Sequence, residues 1–230
     1  MLKMIKAMKR LFLVGVLSLF SVPGFTASSG MPLAEIDVAT DNESRQRGFE
    51  VYYNVCRLCH ELTYVKYQYL AGIGFDKSKV DDLRGEKLAN TFIKSTVEDD
   101  MATKLYGAVP PDLSLMAKAR KQGPRYIYTL MTAYYEKEDN VYDNKLFHGI
   151  KMPDPFGYSV ATDDAKVKIE SDVKDLVAFL EWSADPKADD RKSMGVWVIG
   201  YLFILSVLMY LVMKRVWSRL PPPVSESLKR

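Results

Sequence analysis

Histidine and cysteine are scarce, at two residues each in a chain of 230. The most they could supply is one four-ligand zinc site from Cys56, Cys59, His60 and His148, and the neighbouring Cys59 and His60 make poor tetrahedral partners. Glycine and proline are modest, 13 and 11 residues beside 48% apolar and 27% charged, which excludes a disordered, collagen-like or low-complexity chain. No βαβ pattern surrounds the cysteines, which argues against a redox disulfide of thioredoxin type. The middle of the chain also lacks an excess of cations. The whole carries +3, but residues 1–30 contribute four positive charges and residues 191–230 a net six, so the segment between them stands at −7. A nucleic-acid binder concentrates Lys and Arg on its folded part, so no nucleic-acid partner is expected.

The two ends are apolar for different reasons. Lys3, Lys6, Lys9 and Arg10 precede an apolar run from Leu11 to Val22, then Pro23-Gly24 and small residues from Ala27 to Gly30. That is the layout of a secretory signal peptide, too short to span a bilayer, with cleavage expected near Ala27. Near the other end, Gly195 to Met213 is an uncharged run of 19 residues, long enough as a helix to cross hydrocarbon. Lys214, Arg215 and Arg219 follow at once, and Lys229 and Arg230 end the chain, whereas only Arg191 and Lys192 precede the run. Positive-inside bias then puts the C-terminus in the cytoplasm. Trp197 and Trp217 sit near the two ends of the run, as interfacial anchors or as packing residues. The expected organisation is a signal peptide over 1–27, an exported domain over 28–190, and a membrane anchor with a short tail over 191–230.

Cys56-Arg57-Leu58-Cys59-His60 is the C-x-x-C-H attachment signal for c-type haem. In that chemistry two thiols become thioethers to the porphyrin and the adjacent imidazole ligates iron. Phe49, Tyr52 and Tyr53 upstream repeat at helical spacing, and Cys56 and Cys59 continue it, which lets both sulfurs meet one edge of a flat ring. The sixth ligand is less legible. With the methionines of the leader and the membrane run set aside, Met31, Met101, Met116, Met131 and Met152 remain. Met116 follows Leu113 at helical spacing and Met131 shares a face with Ile127, Leu130 and Tyr134, so both read as core. Met152 lies in Gly149-Ile150-Lys151-Met152-Pro153-Asp154-Pro155, an extended loop stiffened by two prolines. Spacing leaves Met152, His148 and an open sixth position as the alternatives.

Longer stretches add a resemblance. Gln46-Arg47-Gly48-Phe49-Glu50-Val51-Tyr52, the haem motif, Leu62-Thr63-Tyr64-Val65 and Gly107-Ala108-Val109-Pro110-Pro111-Asp112-Leu113-Ser114-Leu115 carry it. It continues through Ala117-Lys118-Ala119-Arg120, Tyr126-Ile127-Tyr128, Met152-Pro153, the segment from Val173 to Trp182, and Asp190-Arg191-Lys192-Ser193-Met194-Gly195. In these the chain resembles the cytochrome c1 family, the membrane-anchored haem subunits of quinol–cytochrome c oxidoreductase, the cytochrome bc1 complex. The resemblance implies one covalent haem c on Cys56 and Cys59, iron ligated by His60 and Met152, and a haem propionate held by Arg120 and Tyr126. It further implies that Pro110 and Pro111 pack beside the haem edge. Departures are Tyr106, where the family usually has Asn before Gly107, Asp154 after the ligand methionine, and a shorter stretch over 76–100 than in mitochondrial members.

The implied function is electron transfer within that complex: from the Rieske iron–sulfur protein to this haem, then to a soluble cytochrome c. The chain would sit beside a cytochrome b subunit in a dimeric complex in the bacterial cytoplasmic membrane, haem domain on the periplasmic side. No side chain is asked for bond chemistry, so no catalytic residue is expected. Acidic clusters at Glu98-Asp99-Asp100 and at Glu136, Glu138, Asp139 and Asp143 could steer a basic carrier. A stand-alone membrane-tethered cytochrome serving another oxidase or reductase is the alternative, and a zinc-stabilised module the minor one. The expected fold is mainly α: a c-type cytochrome haem domain with long loops plus one C-terminal transmembrane helix. Helices are expected at 43–59, 113–121, 124–135 and 171–183, with 66–100 as a long loop over the haem edge.

Overall fold

The computed structural model describes residues 31–138 and 141–219. The expected signal peptide with its cleavage near Ala27, the acidic Asp139, and Lys229 and Arg230 lie outside the described residues. The described residues from Leu33 to Arg219 form one compact unit. Its first half runs α1 (Asn42–Asn54), a 3-10 turn (Cys56–Leu58), β1 (Leu62–Lys66), a 3-10 segment (Tyr67–Ile73), α2 (Lys77–Arg84) and β2 (Phe92–Ile93). The second half runs α3 (Asp99–Tyr106), α4 (Met116–Ala119), α5 (Gly123–Met131), β3 (Tyr134–Glu138), β4 (Val141–Asn144), α6 (Asp163–Ser183) and α7 (Ala188–Trp217). The mainly helical expectation holds. Among the described residues the sheet is confined to two antiparallel pairs, β1 with β2 and β3 with β4.

The most extensive helix contact, α1 on α6, frames the core. The Asp41 carboxylate opens α1 by accepting from Ser44 N–H at 2.8 Å. Phe49 and Tyr52 are buried on α1, and Val173, Leu176, Val177 and Leu180 on α6, at the helical spacing the sequence shows. Phe49 meets Phe179 edge-on at 5.4 Å between ring centroids. Gly48 lets the two backbones touch: a Cβ there would fall 1.9 Å from Asp175 O. Beside it Arg47 grips the Asp175 carboxylate with two bonds, of 2.6 and 3.0 Å.

Several expected boundaries move. The helix expected at 43–59 ends at Asn54, and the first cysteine starts a separate 3-10 turn. The helix expected at 113–121 shrinks to the single turn α4, because the Asp112 carboxylate takes Ser114 N–H at 2.6 Å and holds that stretch as a turn. The helix expected at 124–135 ends at Met131, where the Asn144 side chain caps Leu130 O at 2.7 Å and the chain turns into the β3–β4 hairpin. The helix expected at 171–183 begins a good two turns earlier, at Asp163.

The largest correction is 66–100, expected as a loop and found to hold a 3-10 segment, α2, β2 and the start of α3. Its signal is hard to see in sequence for a physical reason. Tyr67, Leu70 and Ile73 are buried three residues apart, the 3-10 period, and α2 buries only Val80 while relying on its Asp76 cap. At the far end, α7 contains the whole 195–213 run and, at 30 residues, is roughly 45 Å long. It is long and apolar enough to cross a membrane, and its large apolar side chains are exposed throughout. Asp185, which pairs with Arg191 and Lys118, ties its first turns to the body of the fold, as does Arg45 with Asp189.

Candidate functional site

A mostly apolar cavity of about 350 Å³ opens between the end of α1, the 106–113 strand of chain, α4 and α5, the 147–155 loop and α6. All eight residues singled out in the sequence line it: Cys56, Cys59, His60, Pro110, Pro111, Arg120, Tyr126 and Met152. The C-x-x-C-H turn is tied down on every side. Cys56 O accepts from both Cys59 N–H and His60 N–H, at 3.1 and 2.8 Å, which folds the motif into one tight turn. Tyr52 OH reaches back from α1 to His60 O at 2.9 Å, while Arg57 O and Leu58 O accept from Thr96 and Val97 in the segment expected to be loop.

The His60 ring is oriented by chemistry as well as by packing. Its Nδ1 lies 2.7 Å from Pro111 O. A carbonyl can only accept, so Nδ1 carries the proton and Nε2 is left with its lone pair. Burial pushes His60 below the usual histidine range, and the Pro111 carbonyl opposes that only in part. The ring is therefore neutral at pH 7, the form that binds a metal. Both thiols are free of disulfide, Cys56 buried and pushed up to about 12 by that burial, Cys59 partly exposed. The Tyr106 hydroxyl is 3.5 Å from Cys59 Sγ, a contact that raises the tyrosine above its ordinary range.

The methionine loop, which lines the same cavity, is built rather than slack. Tyr134 OH donates to Met152 O at 3.2 Å, and the Asp154 carboxylate accepts from Ser159 N–H and Oγ–H, each at 2.8 Å. Met116 and Met131 also line the cavity, so three thioethers face it where the sequence placed two of them in the core. Met131 is both, being buried and in contact with the cavity. His148 is elsewhere: its side chain is 74% exposed and lies 3.7 Å from the Asp143 carboxylate. There it is not part of the cavity lining, which favours Met152 over a second histidine, and among the described residues no group of three His, Cys, Asp or Glu converges on a metal position. Arg120 directly follows α4 in extended backbone, its guanidinium 5.5 Å above the Tyr126 ring, and both border the cavity.

Sequence reasoning missed the supports. Pro111 acts through its carbonyl, and Asp112 holds that carbonyl in place through Thr63 and Ser114. Burial works against the Asp112 charge, yet the hydrogen bonds from Ser114 and Thr63 outweigh it and keep the carboxyl below the usual carboxylate range. A depressed folded pKa contributes stability above the unfolded value near ~3.9, and that contribution is lost as pH falls through the folded one. Asp112→Asn is expected to lower stability at pH 7 by about 1–3 kcal/mol. The wild type should lose part of that lead between about pH 5 and 3. Urea melts at several pH values check this, and parallel pH curves would show that Asp112 is not the support inferred.

An apolar slot lined by two thiols, an aimed imidazole, three thioethers and a guanidinium fits a flat, covalently held, iron-bearing macrocycle. The family model described as Cytochrome C1 matches residues 33–220. Cytochrome c1 of Rhodospirillum rubrum is 32% identical over 222 residues, covering 77% of this chain and 82% of that protein. A mitochondrial heme protein of Solanum tuberosum, cytochrome c1-2, is 31% identical over 207 residues, covering 77% and 78%. A Bradyrhizobium diazoefficiens protein named cytochrome b/c1 is 30% identical over 230 residues, covering 77% of this chain and 33% of its own length. With that match running through the haem motif, the Pro-Pro-Asp turn, the methionine loop and the apolar helix, the chain belongs to the cytochrome c1 family, whose implied cofactor is a c-type haem.

Proposed function

We propose that this chain is the haem-bearing electron-transfer subunit of a quinol–cytochrome c oxidoreductase, taking electrons from a Rieske iron–sulfur protein and passing them to a soluble cytochrome c. The observation that carries the reading is the convergence of Cys56, Cys59, His60 and Met152 on one apolar cavity, with His60 Nδ1 already engaged by Pro111 O. Bound there, haem supplies a one-electron iron couple, and the remaining work is the protein's. Cys56 and Cys59 hold the macrocycle, His60 presents Nε2, Met152 supplies a thioether, and Arg120 with Tyr126 neutralises and hydrogen-bonds a propionate. Leu176 and Leu180 of α6, with Ile127 and Leu130 of α5, keep water from the remaining wall.

A cytochrome b partner is supported by the Bradyrhizobium relative, whose name joins b and c1 in one chain. The exposed apolar helix α7 fits an anchor packed among lipid and such a partner, as one half of a dimeric complex. With a leader cleaved near Ala27 and cations after the helix, the domain starting at 28 would face the periplasm and the C-terminus the cytoplasm. Of the acidic clusters, Glu98-Asp99-Asp100 at the start of α3 is the better carrier-docking candidate. Asp143 is spent internally, accepting from Asn144 N–H and Gly149 N–H at 2.8 Å each.

The test is a denaturing gel of the purified membrane protein stained for haem peroxidase activity, since only covalent attachment keeps haem on an unfolded chain. A stained band is expected, lost in the Cys56→Ser, Cys59→Ser double variant. A blank wild-type lane, with haem maturation working in the host, would sink the reading. Co-purification with a cytochrome b separates a subunit of the complex from a stand-alone cytochrome.

A further inference from the structure

One side of the cavity carries two residues to which the electron-transfer reading gives no role, Tyr106 and Lys151. Tyr106 is the last residue of α3, with its hydroxyl 3.5 Å from Cys59 Sγ. Gly107 follows at φ 72°, a left-handed cap whose N–H bonds Thr103 O. A Cβ built on Gly107 would stand 3.4 Å from Lys151 Nζ. The ammonium therefore lies at the carbonyl end of α3, where the helix dipole favours a cation. One helix end thus brings a hydroxyl and an ammonium to the side of the cavity that holds the second thiol.

We propose that Tyr106 donates a hydrogen bond to the Cys59 sulfur of the attached haem, and that this bond and the Lys151 charge together bias the haem toward its reduced state. The inference rests on the haem reading above. Its first step is donor arithmetic. A free thiol can donate or accept, but a thioether sulfur can only accept, so once Cys59 is attached the contact survives in one direction only, from Tyr106 O–H to sulfur. The second step is charge. Ferric haem carries one positive charge more than ferrous haem, so a hydroxyl proton aimed at a sulfur on the macrocycle, and an ammonium beside it, each cost the oxidised form more than the reduced. The two residues differ in how water treats them. Lys151 is exposed, so salt screens its share, whereas the Tyr106 contact is made directly to the sulfur, partly buried, and is screened much less.

Both residues act through the macrocycle and are positioning residues rather than ligands. Tyr106 also stands where the family that the chain resembles usually has asparagine. The test is a potentiometric titration, followed by haem absorbance, of the full-length membrane protein in three forms: wild type, Tyr106→Phe and Lys151→Gln. Tyr106→Phe keeps the ring and the shape of the cavity. It is expected to lower the reduction equilibrium constant about three- to tenfold, tenfold being about 59 mV for one electron. Lys151→Gln is expected to lower it about two- to threefold at low ionic strength and by less than that at high salt.

A purely steric tyrosine would leave Tyr106→Phe titrating with the wild type, and that result overturns the hydrogen bond. A Lys151→Gln shift that ignores salt, or runs upward, overturns the charge contribution. A wild-type band that does not stain for haem removes the haem reading, while variants that stain yet titrate as wild type remove this proposal alone.

Discussion

Met152→Leu is expected to lower the midpoint potential by roughly a few tenths of a volt, within the ~0.8 V that axial ligation controls. A thioether favours ferrous over ferric iron, and leucine offers no donor in its place, so the sixth position is left to solvent. The loop that presents the methionine should survive the change. Its anchors are backbone and carboxylate bonds, from Tyr134 OH to Met152 O and from Ser159 to Asp154, which leucine leaves untouched. Leucine also keeps the apolar volume, a swap that costs little in packing. Met116→Leu and Met131→Leu supply the comparison, because both thioethers border the same cavity and neither lies on the stiffened loop. They are expected to leave the potential nearly unchanged. If Met131→Leu produced the large fall and Met152→Leu did not, the ligand assignment would move to α5.

Gly48→Ala is expected to destabilise the haem domain by about 3 kcal/mol or more, with a matching loss of haem-stained protein. Alanine is the better helix former by about 1 kcal/mol, so propensity alone argues the other way. Packing decides the sign. The added methyl would fall 1.9 Å from Asp175 O and 2.5 Å from its carbonyl carbon, and a backbone cannot rotate aside as a flexible side chain can. Relief requires α1 and α6 to separate. That would open the Phe49–Phe179 contact, stretch the Arg47–Asp175 pair, and displace the helix that leads into Cys56. Gly195→Ala is the control: it sits in α7 with nothing within 4 Å of the new methyl, and is expected to be neutral or slightly stabilising. Thermal melts of the two variants check the pair of outcomes. A Gly48→Ala melt within about 2 °C of the wild type would show that the close approach is not what glycine is there for.

These two predictions mark different depths of legibility. The haem motif can be read directly because its chemistry is contiguous: two sulfurs and an imidazole must reach one small ring, and five successive residues in a tight turn do so. The membrane helix is equally plain, because a bilayer demands an uninterrupted apolar length, and α6 because a long buried face repeats its period many times. The 66–100 stretch was illegible for the opposite reason. Each of its elements is held by one to three buried side chains and a cap, too few to establish a period above the background of polar residues.

The site shows the same division within a few residues. That Cys56, Cys59 and His60 carry a haem attachment motif, and that one long apolar helix follows the domain, can be read from local covalent and hydrophobic chemistry alone. Which atoms complete the turn does not. Pro111 O lies 51 positions from the His60 ring it orients, and Tyr106 lies 47 from the sulfur it meets. Spacing keeps His148 as an alternative to Met152, and only the fold, just past the β3–β4 hairpin, sets it beside Asp143. By propensity Gly48 is a weak point in a helix, and only the approach of α6 to its backbone gives the glycine a reason. Residue types and short spacings state which chemistry a chain can perform; only the fold's long-range contacts bring a carbonyl, a hydroxyl or a thioether within bonding distance, because those distances are set by where separate elements pack.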